Sequence, residues 1–209
     1  MNEDEVRRVW AERSGEFSPE YYAYYGPNET SERIREVLEA TVGRGASVLE
    51  LGCSAGRHLA HLHESGYADL HGIDINEDAF DVLRETYPAL AEAGTFHLGA
   101  IEDLLADTPD GRYDAVFSVE TLQHVHPDAQ TTFDDVARVT ADTLVTVENE
   151  GPGEGSPDDP GVNYVNDEFP LFYRDWGRVF GERGFEEERT ERLDRDTLRV
   201  FRKRGAEAE

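Results

Sequence analysis

Short apolar runs alternate with amphipathic stretches along most of the chain. Val48, Leu49 and Leu51 form a run too short for a helix. A turn bracketed by Gly52 and Gly56 follows, and Leu59 and Leu62 then recur at helical spacing. The pattern predicts strand, glycine turn, helix. It repeats downstream. Residues 70–75 predict a second strand ending near Asp74, and a helix with Phe80, Val82 and Leu83 follows, capped by Asn76 and ended before Pro88. Residues 95–98 predict a third strand. The continuous apolar run 115–119 has the character of a strand buried on both faces of a parallel sheet. Phe133, Val136, Ala137 and Val139 mark a helix, and 143–149 a fifth strand. Phe172, Trp176, Val179 and Phe180, spaced three and four apart, predict a helix over 169–183. Two last strands are expected over 185–193 and 197–202, and the tail over 205–209 is expected to fray. Upstream, 3–14 reads as a helix with Val6, Val9 and Trp10 on one face, and Thr30 or Ser31 is expected to cap a helix running to about Val42. Alternating strands and helices make one α/β unit.

Charge changes the picture more than length does. Of 209 residues, 46 are acidic and 20 basic, a net charge of −26, and Lys203 is the one lysine. The acids are spread along the chain rather than gathered in a tail. Regular apolar segments argue against a disordered acidic chain. A dense carboxylate surface suits a cytoplasmic, halophilic protein, in which high salt screens the self-repulsion; a binder of basic partners is the other reading. There is no basic stripe to neutralise phosphates, so nucleic acid is not an expected partner. Cys53 stands alone, which excludes an intramolecular disulfide. No run of about 18 apolar residues predicts a membrane span, and the N-terminal Met-Asn-Glu-Asp-Glu lacks the features of a signal peptide.

The stretch Glu50-Leu-Gly-Cys-Ser-Ala-Gly56 resembles motif I of the class I S-adenosylmethionine (SAM) dependent methyltransferases. Ser54 stands where that family often has glycine. Glycines let a backbone approach a ligand closely, and the helix that follows points free N–H groups at it. Asp74 lies 18 positions after Gly56, near the spacing at which nucleotide-binding α/β folds set an acid on the ribose hydroxyls. Arg112-Tyr-Asp-Ala-Val-Phe-Ser, followed by Leu-Gln-His124, is similar to motif IV of the same family. The Asn/Asp-Pro-Pro-Tyr signature of nucleic-acid amino methyltransferases is absent.

The resemblance implies a Rossmann-like seven-stranded sheet, mostly parallel with an antiparallel C-terminal hairpin and helices on both faces. It implies SAM as cofactor and a small-molecule methyl acceptor. Glu50, Gly52, Cys53 and Gly56 would hold the methionine portion, Asp74 would hold the ribose, Ile101 and Glu102 would border adenine, and Ile75 is a further cofactor-side residue. Ala100 stands where the family commonly has Asp. Val119, Glu120, Gln123 and His124 would sit beside the methyl donor. Residues 44–204 would form the SAM-binding domain. Residues 1–43 would form a helical and aromatic segment, a candidate lid in which Tyr21 and Tyr25 shape the acceptor pocket. Glu148 and Asn149, with the flexible loop over 151–162, are further acceptor-side candidates.

His124 is the candidate general base, because an imidazole at a strand end near the donor titrates near neutrality. The alternative is that it caps the turn. His58, His61 and His63 are clustered, but only His58 and His61 share a helix face, so no metal site is expected. Two other function classes remain open. A non-catalytic SAM-binding or scaffolding domain is one, since fold does not establish function. A nicotinamide-dependent oxidoreductase is the other, supported by Asp74 and opposed by glycine spacing that departs from Gly-x-Gly-x-x-Gly. Neither the acceptor nor the oligomeric state is legible.

Overall fold

The computed structural model describes residues 1–151, 161–165 and 169–205. The loop expected over 151–162 therefore lies outside the described residues apart from its ends, as does the tail beyond 205. The strands are β1 (Ser47–Leu51), β2 (Asp69–Asp74), β3 (Thr95–Leu98), β4 (Tyr113–Val119), β5 (Thr140–Glu148), β6 (Val162–Val165), β7 (Phe169–Phe172), β8 (Phe185–Arg192) and β9 (Thr197–Lys203). The helices are α1 (Glu3–Ala11), α2 (Pro19–Tyr25), α3 (Glu29–Thr41), α4 (Arg57–Glu64), α5 (Asp78–Thr86), α6 (Pro88–Ala93), α7 (Ile101–Ala106), α8 (Thr131–Val139) and α9 (Trp176–Gly181).

A seven-stranded sheet runs β3-β2-β1-β4-β5-β9-β8. The first five strands are parallel, and β9 and β8 close the edge antiparallel. Both faces are covered, and the alternation along each strand shows how. Val48, Ala115, Phe117, Val145 and Val147 pack toward α3, α4 and α5. Leu49, Leu51, Val116 and Leu144 pack toward α7, α8 and α9. All five residues of β1 are buried, and each large apolar side chain so placed stabilises the fold by about 1.5–3 kcal/mol. Connections leave β1 toward β2 on one side, while β4 returns on the other. This reversal opens a crevice at the carboxyl ends of β1 and β4, where α/β sheets bind ligands.

The segment 169–183 is not one helix. Phe169–Phe172 form β7, paired antiparallel with β6 in a separate two-stranded sheet, and only Trp176–Gly181 are helical. All four β7 residues are buried, and Phe172 falls at helical spacing from Trp176, so strand and helix together mimic one amphipathic segment. Asn28, not Thr30 or Ser31, caps α3, with Ser31 returning a bond to the Asn28 backbone. The first helix ends at Ala11 rather than near residue 14. Among the described residues no helix is long and apolar enough to cross a membrane.

Candidate active site

A cleft open to solvent, with about 1130 Å³ of empty space at and above it, lies at the crevice. Its floor is the turn after β1. Gly52 has φ +68°, and a Cβ there would stand 2.2 Å from Thr121 Oγ1. Only a glycine lets this turn meet the turn after β4. Gly56, at φ +78°, ends the turn and starts α4; a Cβ there would stand 2.4 Å from Leu83 Cδ1.

Two carboxyl groups face the cleft from adjacent strands. Glu50 is 1% exposed, and its Oε2 has no hydrogen-bond partner. Burial raises its carboxyl well above the usual range, against the opposing pull of Arg57. A buried carboxyl left in this state is matched to an incoming donor, such as an ammonium. Asp74 is better satisfied. Its Oδ2 accepts from the Ser54 N–H at 2.7 Å and its Oδ1 from the Asn76 N–H at 2.8 Å. Burial still raises it, and the backbone donors partly offset that. Ile75, Gly99, Ala100, Ile101 and Glu102 border the cleft beyond Asp74.

The first helix roofs the cleft. Val6 and Trp10 face inward, and Asn76 Nδ2 donates to the Trp10 and Arg13 carbonyls at 3.4 and 3.0 Å. Arg7 lies 3.6 Å from Glu102 and 3.4 Å from Asp103, tying the roof to α7. Trp10 Nε1 is buried without a partner. Three non-glycine residues have positive φ among those described, Phe17, Ser54 and Glu120, and all three line the cleft. Backbone strain confined to one cavity is a mark of a functional site.

The turn after β4 is held from both sides. Glu148 is fully buried. Its carboxyl accepts from Ser118 Oγ at 2.5 Å and from the N–H groups of Thr121, Leu122 and Gln123 at 3.2–3.4 Å. Burial pushes it up to about 8 in spite of these donors. Arg174, lowered to about 10 by burial, donates to the Leu122 and Val125 carbonyls at 3.4 and 2.6 Å. His124 lies on this turn. Its Nδ1 is 2.8 Å from the Pro170 carbonyl, its Nε2 3.3 Å from Gln123 Nε2, and its ring is 4.6 Å from Trp10. Burial lowers it to about 4, so it is neutral at pH 7. With Nδ1–H donating to Pro170, Nε2 accepts from Gln123.

The cleft thus gathers Glu50, Gly52, Cys53, Asp74, Ile75, Ile101, Glu102, Val119, Glu120 and His124. Gly56 shapes the turn without lining the cleft. Gln123, Glu148 and Asn149 do not line it either. Gln123 Oε1 accepts from the Asn149 N–H at 2.7 Å, and Glu148 serves the turn as described. Tyr21 and Tyr25 stand in a side chamber of about 640 Å³, together with Glu120. Arg57 and Arg195 line that chamber too, and neither stood out in the sequence reading. A signal for Arg57 did exist. A cation at the first position of a helix opposes the helix dipole, so the residue is there for another reason. Arg195 sits in a polar turn and carried no such signal. Among the described residues no group of three or more His, Cys, Asp or Glu is placed to hold a metal ion. His61 instead pairs with Glu32 at 2.7 Å, and His58 with Ser31 at 2.8 Å.

Fold, glycine turn and strand-end acids come together at one crevice. Residues 48–143 match the family model described as a methyltransferase domain. A curated relative, an O-methyltransferase of Pyrenophora dematioidea, is 24% identical over 119 residues, covering 54% of this chain and 44% of the relative. The chain thus spans less than half the length of that relative. Among solved structures, the 1,6-didemethyltoxoflavin-N1-methyltransferase of Burkholderia thailandensis, bound to 1,6-didemethyltoxoflavin and S-adenosylhomocysteine, superposes with a TM-score of 0.68 at 20% identity, over 85% of this chain and 79% of that one. The [4+2]-cyclase SpnF gives 0.68 at 13% identity, over 94% and 87%. At these identities the likeness is one of fold.

Proposed function

We propose that the protein transfers a methyl group from SAM to a small-molecule acceptor by direct in-line displacement. The observation that carries the reading is Glu50, a buried carboxyl with an unmatched oxygen at the floor of a glycine turn, one strand from Asp74. SAM supplies an electrophilic methyl group on a sulfonium sulfur. Glu50 meets the ammonium of its methionine portion, and Asp74, with lone pairs left beside its two backbone donors, accepts from the ribose hydroxyls. Ile75 and Ile101 flank the adenine, and Glu102, already near Arg7, closes its edge. Val6 and Trp10 exclude water from above. What remains for the protein is to hold the acceptor close and aligned, which supplies much of the rate. His124 is a poor general base here, since a group lowered to about 4 has little pull on a proton at pH 7. Its two ring nitrogens are also engaged.

Calorimetry with SAM and S-adenosylhomocysteine tests this reading, in salt that keeps so acidic a chain folded. Micromolar binding is expected, weakened at least tenfold (about 1.4 kcal/mol) by Asp74→Ala. A folded protein that gives no heat with either ligand would overturn it. A second reading has one observation behind it. The cyclase that superposes on this chain shows that the fold also hosts other chemistry. SAM binding without methyl transfer to any acceptor would favour that reading.

A further inference from the structure

The side chamber shares Phe17, Tyr22, Arg57 and Glu120 with the main cleft, so the two spaces are contiguous. Its walls are aromatic. Tyr21 lies 5.6 Å from Phe17, 5.4 Å from Tyr22 and 4.9 Å from Tyr25, ring centre to ring centre. Tyr25 is 61% exposed, a large aromatic surface left to solvent at a cavity mouth. Such rings offer stacking faces for a planar guest.

The charge of the chamber runs against that of the chain. Among the described residues no carboxylate pairs with the Arg57 guanidinium, in a protein of net charge −26 where most arginines are held by acids. Instead Arg57 is positioned by neutral groups. Its Nε donates to His58 Nε2 at 3.2 Å. His58 is 4% exposed, and burial lowers it well below its usual range, so it stays neutral and accepts. The other ring nitrogen, Nδ1, meets Ser31 Oγ at 2.8 Å, and Ser31 in turn is bonded within the Asn28 cap of α3. The guanidinium lies 4.8 Å over the Tyr22 ring. A buried relay therefore fixes one cation at the junction of the two spaces and leaves its terminal nitrogens for a ligand. The second cation, Arg195, is already held by Glu120.

We propose that this chamber is the acceptor subsite and that it takes an aromatic carboxylate, its ring against the exposed face of Tyr25 and its carboxylate on Arg57. The proposal rests on the methyltransferase reading for the word acceptor, but not for the binding itself. Arg57 can receive a carboxylate in the two-pronged geometry that an arginine fork favours. Glu120 repels the same group, so the ring enters in one orientation. A cationic amine would meet an uncompensated Arg57.

The test is a titration of three probes of similar size, 4-hydroxybenzoate, phenol and tyramine, into protein saturated with S-adenosylhomocysteine, all in one salt. The expected order places 4-hydroxybenzoate at least tenfold tighter than the other two. Arg57→Gln should erase that preference, and Tyr25→Leu should weaken the three probes together. Melting curves establish that the variants fold, and the probe order in the unaltered protein decides the matter if one does not. The proposal is overturned if tyramine or phenol binds best, if none of the three binds, or if Arg57→Gln weakens S-adenosylhomocysteine tenfold and leaves the probes alone. Should S-adenosylhomocysteine itself not bind, the methyltransferase reading fails, and the same probes on the free protein still decide the chemistry of the chamber.

Discussion

The two halves of the site are built by different means. The proposed donor half is set by short local segments that carry Glu50 and Asp74. It comes from the turn after β1, the end of β2 and the turn after β3, each a few residues long and each following a strand. The acceptor half is made by side chains that converge from distant parts of the chain: Tyr21, Tyr22 and Tyr25 from α2, Arg57 from the start of α4, Glu120 from the end of β4 and Arg195 from the turn between β8 and β9. The difference has a physical origin. A cofactor common to many reactions needs the same backbone approach each time, and few residue types satisfy it. An acceptor is met by whichever side chains fill a shape, and many sets do so. The donor half should therefore tolerate little change, and the acceptor half should change specificity before it changes stability.

The most severe break of this contrast is Gly52→Val. The position has φ +68°, and a Cβ would stand 2.2 Å from Thr121 Oγ1. A β-branched residue in the left-handed region, pressed on a neighbouring turn, should cost about 3 kcal/mol of stability and abolish donor binding. Chemical denaturation and calorimetry read the two effects. A variant with parental stability and affinity would show that the close approach is not required.

Glu148→Gln comes next, and it strikes the acceptor half through the turn it holds. The amide NH2 would replace one carboxyl oxygen and so face either the Gln123 N–H, now on Oε2, or the Thr121 and Leu122 N–H groups, now on Oε1. One or more buried donors lose their acceptor, at about 2 kcal/mol. The pH dependence has a definite sign. Folded Glu148 sits at about 8 and an unfolded Glu at about 4.3. Between these values the folded state binds more protons than the unfolded one, so this group makes the parent less stable as pH rises through that window. The variant should lack this component of the slope. Melting temperature against pH for the two proteins checks it; superimposable slopes would count against the assignment.

These features differ in how legible they were. The first five strands, the antiparallel C-terminal pair and the glycine turn were all readable, because strand runs and turn glycines leave few residue choices at fixed spacing. The place of Glu50 at the cleft was readable, but its unmatched oxygen was not, since burial depends on what packs above. The buried strand Phe169–Phe172 was mistaken for helix, because Phe172, Trp176, Val179 and Phe180 share a spacing that two separate elements produce together. The helix α2 was visible only as a run of tyrosines. His124 drew attention as a base by its place at a strand end, and only the structure shows Pro170 and Gln123 on its two nitrogens. Glu148 looked like an acceptor ligand because it ends a central strand, yet its side chain turns inward onto Ser118. Arg195 enters the site by tertiary contact alone, which no local pattern encodes.

Glu50→Gln sharpens the contrast from the donor side, because affinity and stability should move in opposite directions. The parental carboxyl is raised by burial, so ionising it in the free protein is unfavourable, and stability falls as pH rises above the unfolded value. The amide removes that cost. It also removes the charge that meets the ammonium of SAM. Binding should weaken about tenfold, about 1.4 kcal/mol, while the melting temperature of the free protein at pH 7 rises or stays level. A loss of both together would mean that Glu50 serves the fold rather than the ligand.

Arg195→Gln should give the smallest effect, and it separates the two halves most cleanly. The Arg195 side chain is 59% exposed, and its partner Glu120 is 19% exposed. A pair this open contributes about 0–1 kcal/mol to stability, so the melting temperature should hardly move. The local field changes more than the fold does. Glu120 loses its nearest counter-charge, and Asp196, raised to about 7 by burial and by Glu120, loses the cation that opposes that rise. An anionic guest in the chamber then meets a less compensated carboxylate. Binding of 4-hydroxybenzoate should weaken two- to threefold, and S-adenosylhomocysteine binding should stay as it was, since Arg195 does not line the donor cleft. Added salt should shrink the difference between parent and variant, because screening reaches to about 3 Å at 1 M. Equal losses for both ligands would show that the halves are coupled through the turn after β4, and the division between a donor site set by short local segments and an acceptor site set by converging side chains would then need to be redrawn at Glu120.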